Sequence, residues 1–160
     1  MSIKPTPKAV SLNDVSPLLL GLIEEGIDVT FTVVGDSMSP LWCNMRDSVV
    51  LTKCDPLKLQ VGDVPLCKRP NGKFVLHRIV KVNADSYDII GDNQSEIEQD
   101  LPKSSALCVV KGFNRKGKNY SCNSSLYRFY TFLIIRLRPL CRFAMKFVWK
   151  FKNIFRGGKK

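Results

Sequence analysis

Three residues of this chain are of the types that together can hydrolyse an amide. They are a serine in the turn Gly35-Asp36-Ser37-Met38-Ser39-Pro40, the single histidine, His77, and an aspartate in the turn Gly91-Asp92-Asn93. A serine hydroxyl is a weak nucleophile at neutral pH and needs a base to take its proton. Imidazole, with a reference pKa of about 6.5, suits that task, and a carboxylate can orient the ring and stabilise its cation. Ser37 would attack the scissile carbonyl, and His77 would take its proton and return it to the leaving amine. Asp92 is the first choice to fix the imidazole; further acids follow it, and spacing leaves open whether Asp92, Glu98 or Asp100 does so. Six cysteines with no Cys-x-x-Cys pair and one histidine make no zinc arrangement, so neither a metal nor an organic cofactor is implied.

These residues need strands and turns to hold them. Val29–Val34 is strand-like and runs directly into the serine turn. Ser48–Lys53 and Val64–Arg69 follow, and Pro70-Asn71-Gly72 turns the chain into Lys73–Val82, which carries His77. Tyr87–Ile90 precedes the acidic turn, and Ala106–Phe113 closes the series. Short strands separated by Gly, Pro, Asn and Asp indicate a mainly β, coiled or barrel-like domain rather than βαβ units. Pro65 cannot donate to a ladder, which places its strand at an edge or a bulge. Before the strands, Leu18, Leu19, Leu22 and Ile23 recur at helical spacing and Gly26 marks a stop, predicting a helix over about residues 13–25.

The turns and the segments between them resemble, in order and spacing, the conserved boxes of type I signal peptidases. The matching stretches are Gly35-x-Ser37-Met38-x-Pro40, Arg46-Asp47-Ser48-Val49-Val50, Val61-Gly62-Asp63-Val64, His77-Arg78-Ile79 and Gly91-Asp92-Asn93. A histidine in place of the lysine base places the resemblance with the histidine-type branch. It covers roughly Val29 to Gly112 and implies a serine peptidase of the signal peptidase and LexA superfamily. In the lysine-type enzymes a serine two residues before the nucleophile helps to bind the oxyanion; here that position is Gly35, which leaves the backbone N–H of Ser37 as the candidate donor. A peptide substrate would add as an extended strand along Val33–Val34 and Phe74, Val75 and Leu76, with Met38 beside the nucleophile.

Charge divides the chain in two. Residues 1–110 hold 11 Lys+Arg against 14 Asp+Glu, whereas residues 111–160 hold 14 Lys+Arg and no acid. The net charge of +11 therefore belongs to the C-terminal segment. From residue 126 the pattern is helical, with Phe143, Phe147, Phe151 and Phe155 on one face, a row of Arg138, Arg142, Lys146 and Lys150, and Pro139 as a kink or break. Four cations between Phe129 and Trp149, at roughly 2.5–3.5 kcal/mol each in a bilayer centre, argue against spanning. An amphipathic basic helix suits an anionic membrane surface instead. A helix docked in a protein groove competes with that reading, and the missing aromatic–Gly repeats argue against nucleic acid.

The domain reading is an N-terminal segment with a helix (1–28), a peptidase-like β domain (29–114), a linker (115–125) and a basic amphipathic tail (126–160). No secretory signal opens the chain, and Pro17–Ile23 is too short an apolar run to span a bilayer, so the expected location is peripheral, at the cytoplasmic face of a membrane. The expected function is a serine endopeptidase cutting a peptide or protein precursor at or near that surface. The alternatives are a non-catalytic membrane-associated module that keeps the fold and a LexA-like self-cleaving regulator.

Overall fold

The structure, a computed structural model, describes residues 12–137. Over these residues it is mainly β, with helix α1 (Leu12–Glu24), nine strands and a second helix described over residues 125–137, α2. The strands are β1 (Val29–Thr32), β2 (Ser48–Thr52), β3 (Pro65–Lys68), β4 (Phe74–Leu76), β5 (Arg78–Val82), β6 (Ser86–Ile90), β7 (Glu98–Pro102), β8 (Ala106–Arg115) and β9 (Lys118–Ser121). Six of them form a sheet in the order β1-β2-β8-β3-β4, with β9 also paired to β8, and this sheet curls into a half-barrel. The other three form a smaller sheet, β5-β6-β7.

Apolar periodicity explains where α1 sits. Leu19 and Ile23, one turn apart, are buried against the larger sheet, while Leu18 faces solvent at 72% exposure. Gly26, at φ 83°, then ends the helix, and Ile27 N–H donates back to the Leu22 carbonyl at 2.9 Å. A second apolar cluster joins the sheets: Cys67, Val75 and Ala106 from the larger one meet Ile79, Tyr87, Ile89 and Leu101 from the smaller. Burial pushes the thiols of Cys67 and Cys108 up to about 12, so both act as small apolar core residues.

Several elements depart from the sequence reading. Lys73–Val82 is not one strand: the chain leaves the larger sheet after Leu76 and enters the smaller one at Arg78, with His77 at the crossing. Of the two settings expected for Pro65, an edge or a bulge, the strand takes the second: it is central, with an irregular ladder beside the proline. It is tolerated there because β4 pairs only from Leu66 onward, and the ladder with β8 shifts register between Leu66 and Cys67. Residues 115–125 are more than a linker, since Lys116-Gly117 turns β8 into β9 and the hairpin is paired from Gly112↔Ser121 to Arg115↔Lys118. The Phe143–Phe155 face, the Arg138–Lys150 row and Pro139 lie outside the described residues. No helix among the described residues is long and apolar enough to cross a membrane.

Candidate active site

The serine turn is fixed from below by its own apolar residue and from the side by a buried acid. Met38, 2% exposed, plugs into the core, and Trp42 N–H donates to the Met38 carbonyl at 3.1 Å. Gly35 takes φ 91°, a conformation that glycine adopts without a steric cost, and its N–H donates to Asn44 Oδ1 at 3.0 Å. Asp47 closes the loop behind it: its carboxylate accepts from Cys43 N–H at 2.8 Å, from Lys116 N–H at 3.2 Å and from Arg46 at 2.7 and 2.9 Å. Burial would raise the Asp47 pKa, but these donors outweigh it and hold the group below the usual carboxylate range. Ser37 itself stays half-buried at the surface of this frame.

Ser37 opens onto a pocket of about 330 Å³ lined by Phe31, Val33, Val34, Met38, Val49, Leu51, Leu66, Phe74, Val75 and Leu76. All six residues expected to meet substrate, Val33, Val34, Met38, Phe74, Val75 and Leu76, are therefore gathered around the serine. The curl of the sheet is the cause, because β1 and β4 end the strand path on opposite sides and the half-barrel brings both to one cavity. Each terminal strand pairs on one side only within that path, so each offers a backbone edge.

The acidic turn packs directly on the serine. Asn93 N–H donates to the Ser37 carbonyl at 2.8 Å, and Asn93 Nδ2 donates to the Asp36 carbonyl at 3.2 Å. A Cβ on Gly91 would lie 2.5 Å from Ser37 O and 3.0 Å from Ser37 Cβ, which is why only glycine fits there. His77, 3% exposed, follows Leu76 of the pocket wall. The β5–β6 ladder ends on Arg78↔Ile90, and His77 and Gly91 are the next residues of its two strands. Ser37 and the acidic turn thus meet at Gly91. Gly91→Ala is expected to displace the serine backbone and lower Ser37 reactivity by roughly 10²-fold, the scale associated with misplacement of about 1 Å. Unchanged labelling of Ser37 in that variant would show that the contact is not needed.

Of the three candidate acids, Asp92 is the one in the turn that touches Ser37, but its carboxylate has a partner that the sequence did not reveal. Arg78 donates to it through Nε at 2.8 Å and Nη2 at 2.7 Å, and Tyr130 Oη donates at 3.2 Å. The side chains of Arg78 and Asp92 are both fully buried. Burial alone would lower the Arg78 pKa; the hydrogen bonds and charge of Asp92 outweigh it and raise it. Glu98 instead accepts from Arg69 Nε at 2.8 Å, and Asp100 accepts from Ser86 Oγ at 3.2 Å. Arg78 was legible only as the middle of His77-Arg78-Ile79, and the α2 residues around it carried no sequence signal at all.

The sequence matches no protein-family model, and no curated protein matches it.

Proposed function

We propose that this protein is a serine endopeptidase of the signal peptidase type, in which Ser37 is the nucleophile and His77 the general base. The observation that carries the reading is the placement of Ser37 in an apolar cavity between two strand edges, with the turn next to Asp92 packed on its backbone. An extended peptide can hydrogen-bond to an open strand edge while alternate side chains enter the cavity. The Asp92 carboxylate is held by Arg78 and Tyr130, and in this reading it fixes the turn that backs Ser37. A fluorophosphonate probe is expected to label the wild-type protein at Ser37 and not the Ser37→Ala variant. Labelling that is absent, or unaffected by the substitution, would remove the assignment.

The substrate is proposed to be met at an anionic membrane surface. On α2, Leu126, Phe129, Phe132 and Leu137 are 70, 59, 56 and 44% exposed, and no acid lies anywhere from residue 111 to 160. Co-sedimentation with anionic vesicles should exceed that with neutral vesicles and weaken as salt rises, because the Debye length falls from about 10 Å at 0.1 M to about 3 Å at 1 M. Equal recovery with both vesicle types would remove the membrane from the reading.

A further inference from the structure

Helix α2 carries two faces. Leu126, Phe129, Phe132 and Leu137 point outward, whereas Tyr127 is buried and Tyr130 and Thr131 are partly buried. Ser124 caps the helix, its Oγ accepting from Tyr127 N–H at 3.3 Å. The inner residues converge on one group, the Arg78 guanidinium. Arg78 Nη1 donates to Tyr127 Oη and to Thr131 Oγ1, both at 3.1 Å, and to the Gly62 carbonyl at 3.0 Å. The rings of Tyr127 and Tyr130 lie 5.6 and 5.9 Å from the guanidinium carbon. Tyr130 then reaches past it to the carboxylate of Asp92. Burial pushes the Tyr127 phenol up to about 12 and raises that of Tyr130 further, so both hydroxyls stay protonated across the physiological range.

A charged guanidinium taken wholly out of water is tolerable when its N–H groups find acceptors and its charge finds a counter-ion. Asp92 supplies the counter-ion; α2 supplies two hydroxyl acceptors at Nη1, beside the Gly62 carbonyl, and a donor for the carboxylate. Position in the chain makes the arrangement more than a structural plug. Arg78 is bonded to His77, and Asp92 lies between Gly91 and Asn93, the two residues seated on Ser37. The ion pair therefore ties the segment that carries the base to the turn that backs the nucleophile.

We infer that α2 belongs to the site, with Tyr127, Tyr130 and Thr131 acting as positioning residues through Arg78 and Asp92. The inference rests on the peptidase reading for its catalytic consequence, but its structural half stands by itself. With the two phenol hydroxyls removed and the rings kept, the pair loses the bond from Arg78 to Tyr127 and the bond from Tyr130 to Asp92, and the Gly91-Asp92-Asn93 turn gains freedom against Ser37. Apolar lining of the substrate cavity is untouched, so the loss falls on the reaction step and not on binding.

The test uses the full-length protein and the double variant Tyr127→Phe/Tyr130→Phe, with Thr131→Ser as the conservative control that keeps Oγ. Fluorophosphonate labelling at increasing probe concentration separates the limiting rate from the half-saturating concentration. Hydrogen exchange at the Asn93 amide reports the contact with the Ser37 carbonyl directly. The double variant should lose roughly ten-fold in limiting rate, as expected for hydrogen bonds to buried charges, with the half-saturating concentration within about two-fold of wild type. Exchange at Asn93 should quicken while the Val49 and Phe113 amides of the β2–β8 ladder keep their protection, and Thr131→Ser should match wild type. Unchanged labelling and unchanged Asn93 exchange in the double variant would overturn the inference. Wild-type protein that never labels at Ser37 would overturn the peptidase reading instead, and Asn93 exchange would still decide whether α2 holds the turn.

Discussion

Ser37→Ala and His77→Ala should each reduce peptide turnover by roughly 10⁴–10⁶-fold, the range seen when one member of a serine–base pair is removed. The two variants should fall to a similar floor, and combining them should cost little more, because either loss alone disables the nucleophile. Stability should separate them. Ser37 is half-buried on a turn held by Met38, Gly35 and Asp47, so its alanine variant should stay within about 1 kcal/mol of wild type in urea unfolding. His77 is 3% exposed at the crossing between the sheets, and its truncation leaves a void there that costs more. Turnover in Ser37→Ala at more than a few per cent of wild type would place the chemistry elsewhere.

Arg78→Met should be the most destabilising single change at the site, by about 3–5 kcal/mol, because it leaves the Asp92 carboxylate buried without its counter-ion. Asp92→Asn should also be costly, because it leaves the buried Arg78 cation without a counter-ion, offset in part by the amide oxygen, which still accepts from the guanidinium. The pair Arg78→Met/Asp92→Leu should regain much of the lost stability, as apolar replacements of buried ion pairs often do. It should not regain probe reactivity, because what joins His77 to the Ser37 turn has gone. Urea midpoints and labelling rates on the same three proteins check both halves. A double variant that is stable and fully reactive would make the ion pair a matter of folding alone.

The residues of the candidate site were more legible in the sequence than the architecture that holds them. Ser37, His77 and Gly91-Asp92-Asn93 stood out because turns and a lone histidine punctuate apolar runs, and the cavity residues followed from their position beside those turns. The break at His77 did not show, because Lys73–Val82 keeps an apolar, strand-favouring composition straight through the change of sheet. Strand β7 is Glu-Gln-Asp-Leu-Pro, with Leu101 its only buried residue, so no alternation marked it. Strand β9 is exposed throughout and is held by its ladder with β8, which composition does not encode. The Tyr127–Tyr130–Thr131 face was hidden for another reason. Only a buried arginine 49 residues earlier gives those hydroxyls a purpose, and that partnership is tertiary.

Because the chain changes sheets at His77, the proposed nucleophile and base belong to different bodies of structure: Ser37 follows β1 of the half-barrel, while Arg78 and Asp92 flank the β5–β6 ladder. The seam between them holds an apolar cluster, a pair of backbone bonds (Gly62 N–H to the Ile79 carbonyl and Ile79 N–H to the Asp63 carbonyl, at 2.9 and 2.8 Å), the bonds of Asn93 to Ser37 and Asp36, that of Arg78 to the Gly62 carbonyl, and the Arg69–Glu98 ion pair. Parts of a domain can open with less free energy than the whole. Parting along this seam would carry His77, Arg78 and Asp92 away from Ser37 together while the β2–β8 ladder stayed closed. If Ser37 and His77 act as proposed, labelling of Ser37 is expected to fade at a lower temperature than the protection of the β2–β8 amides.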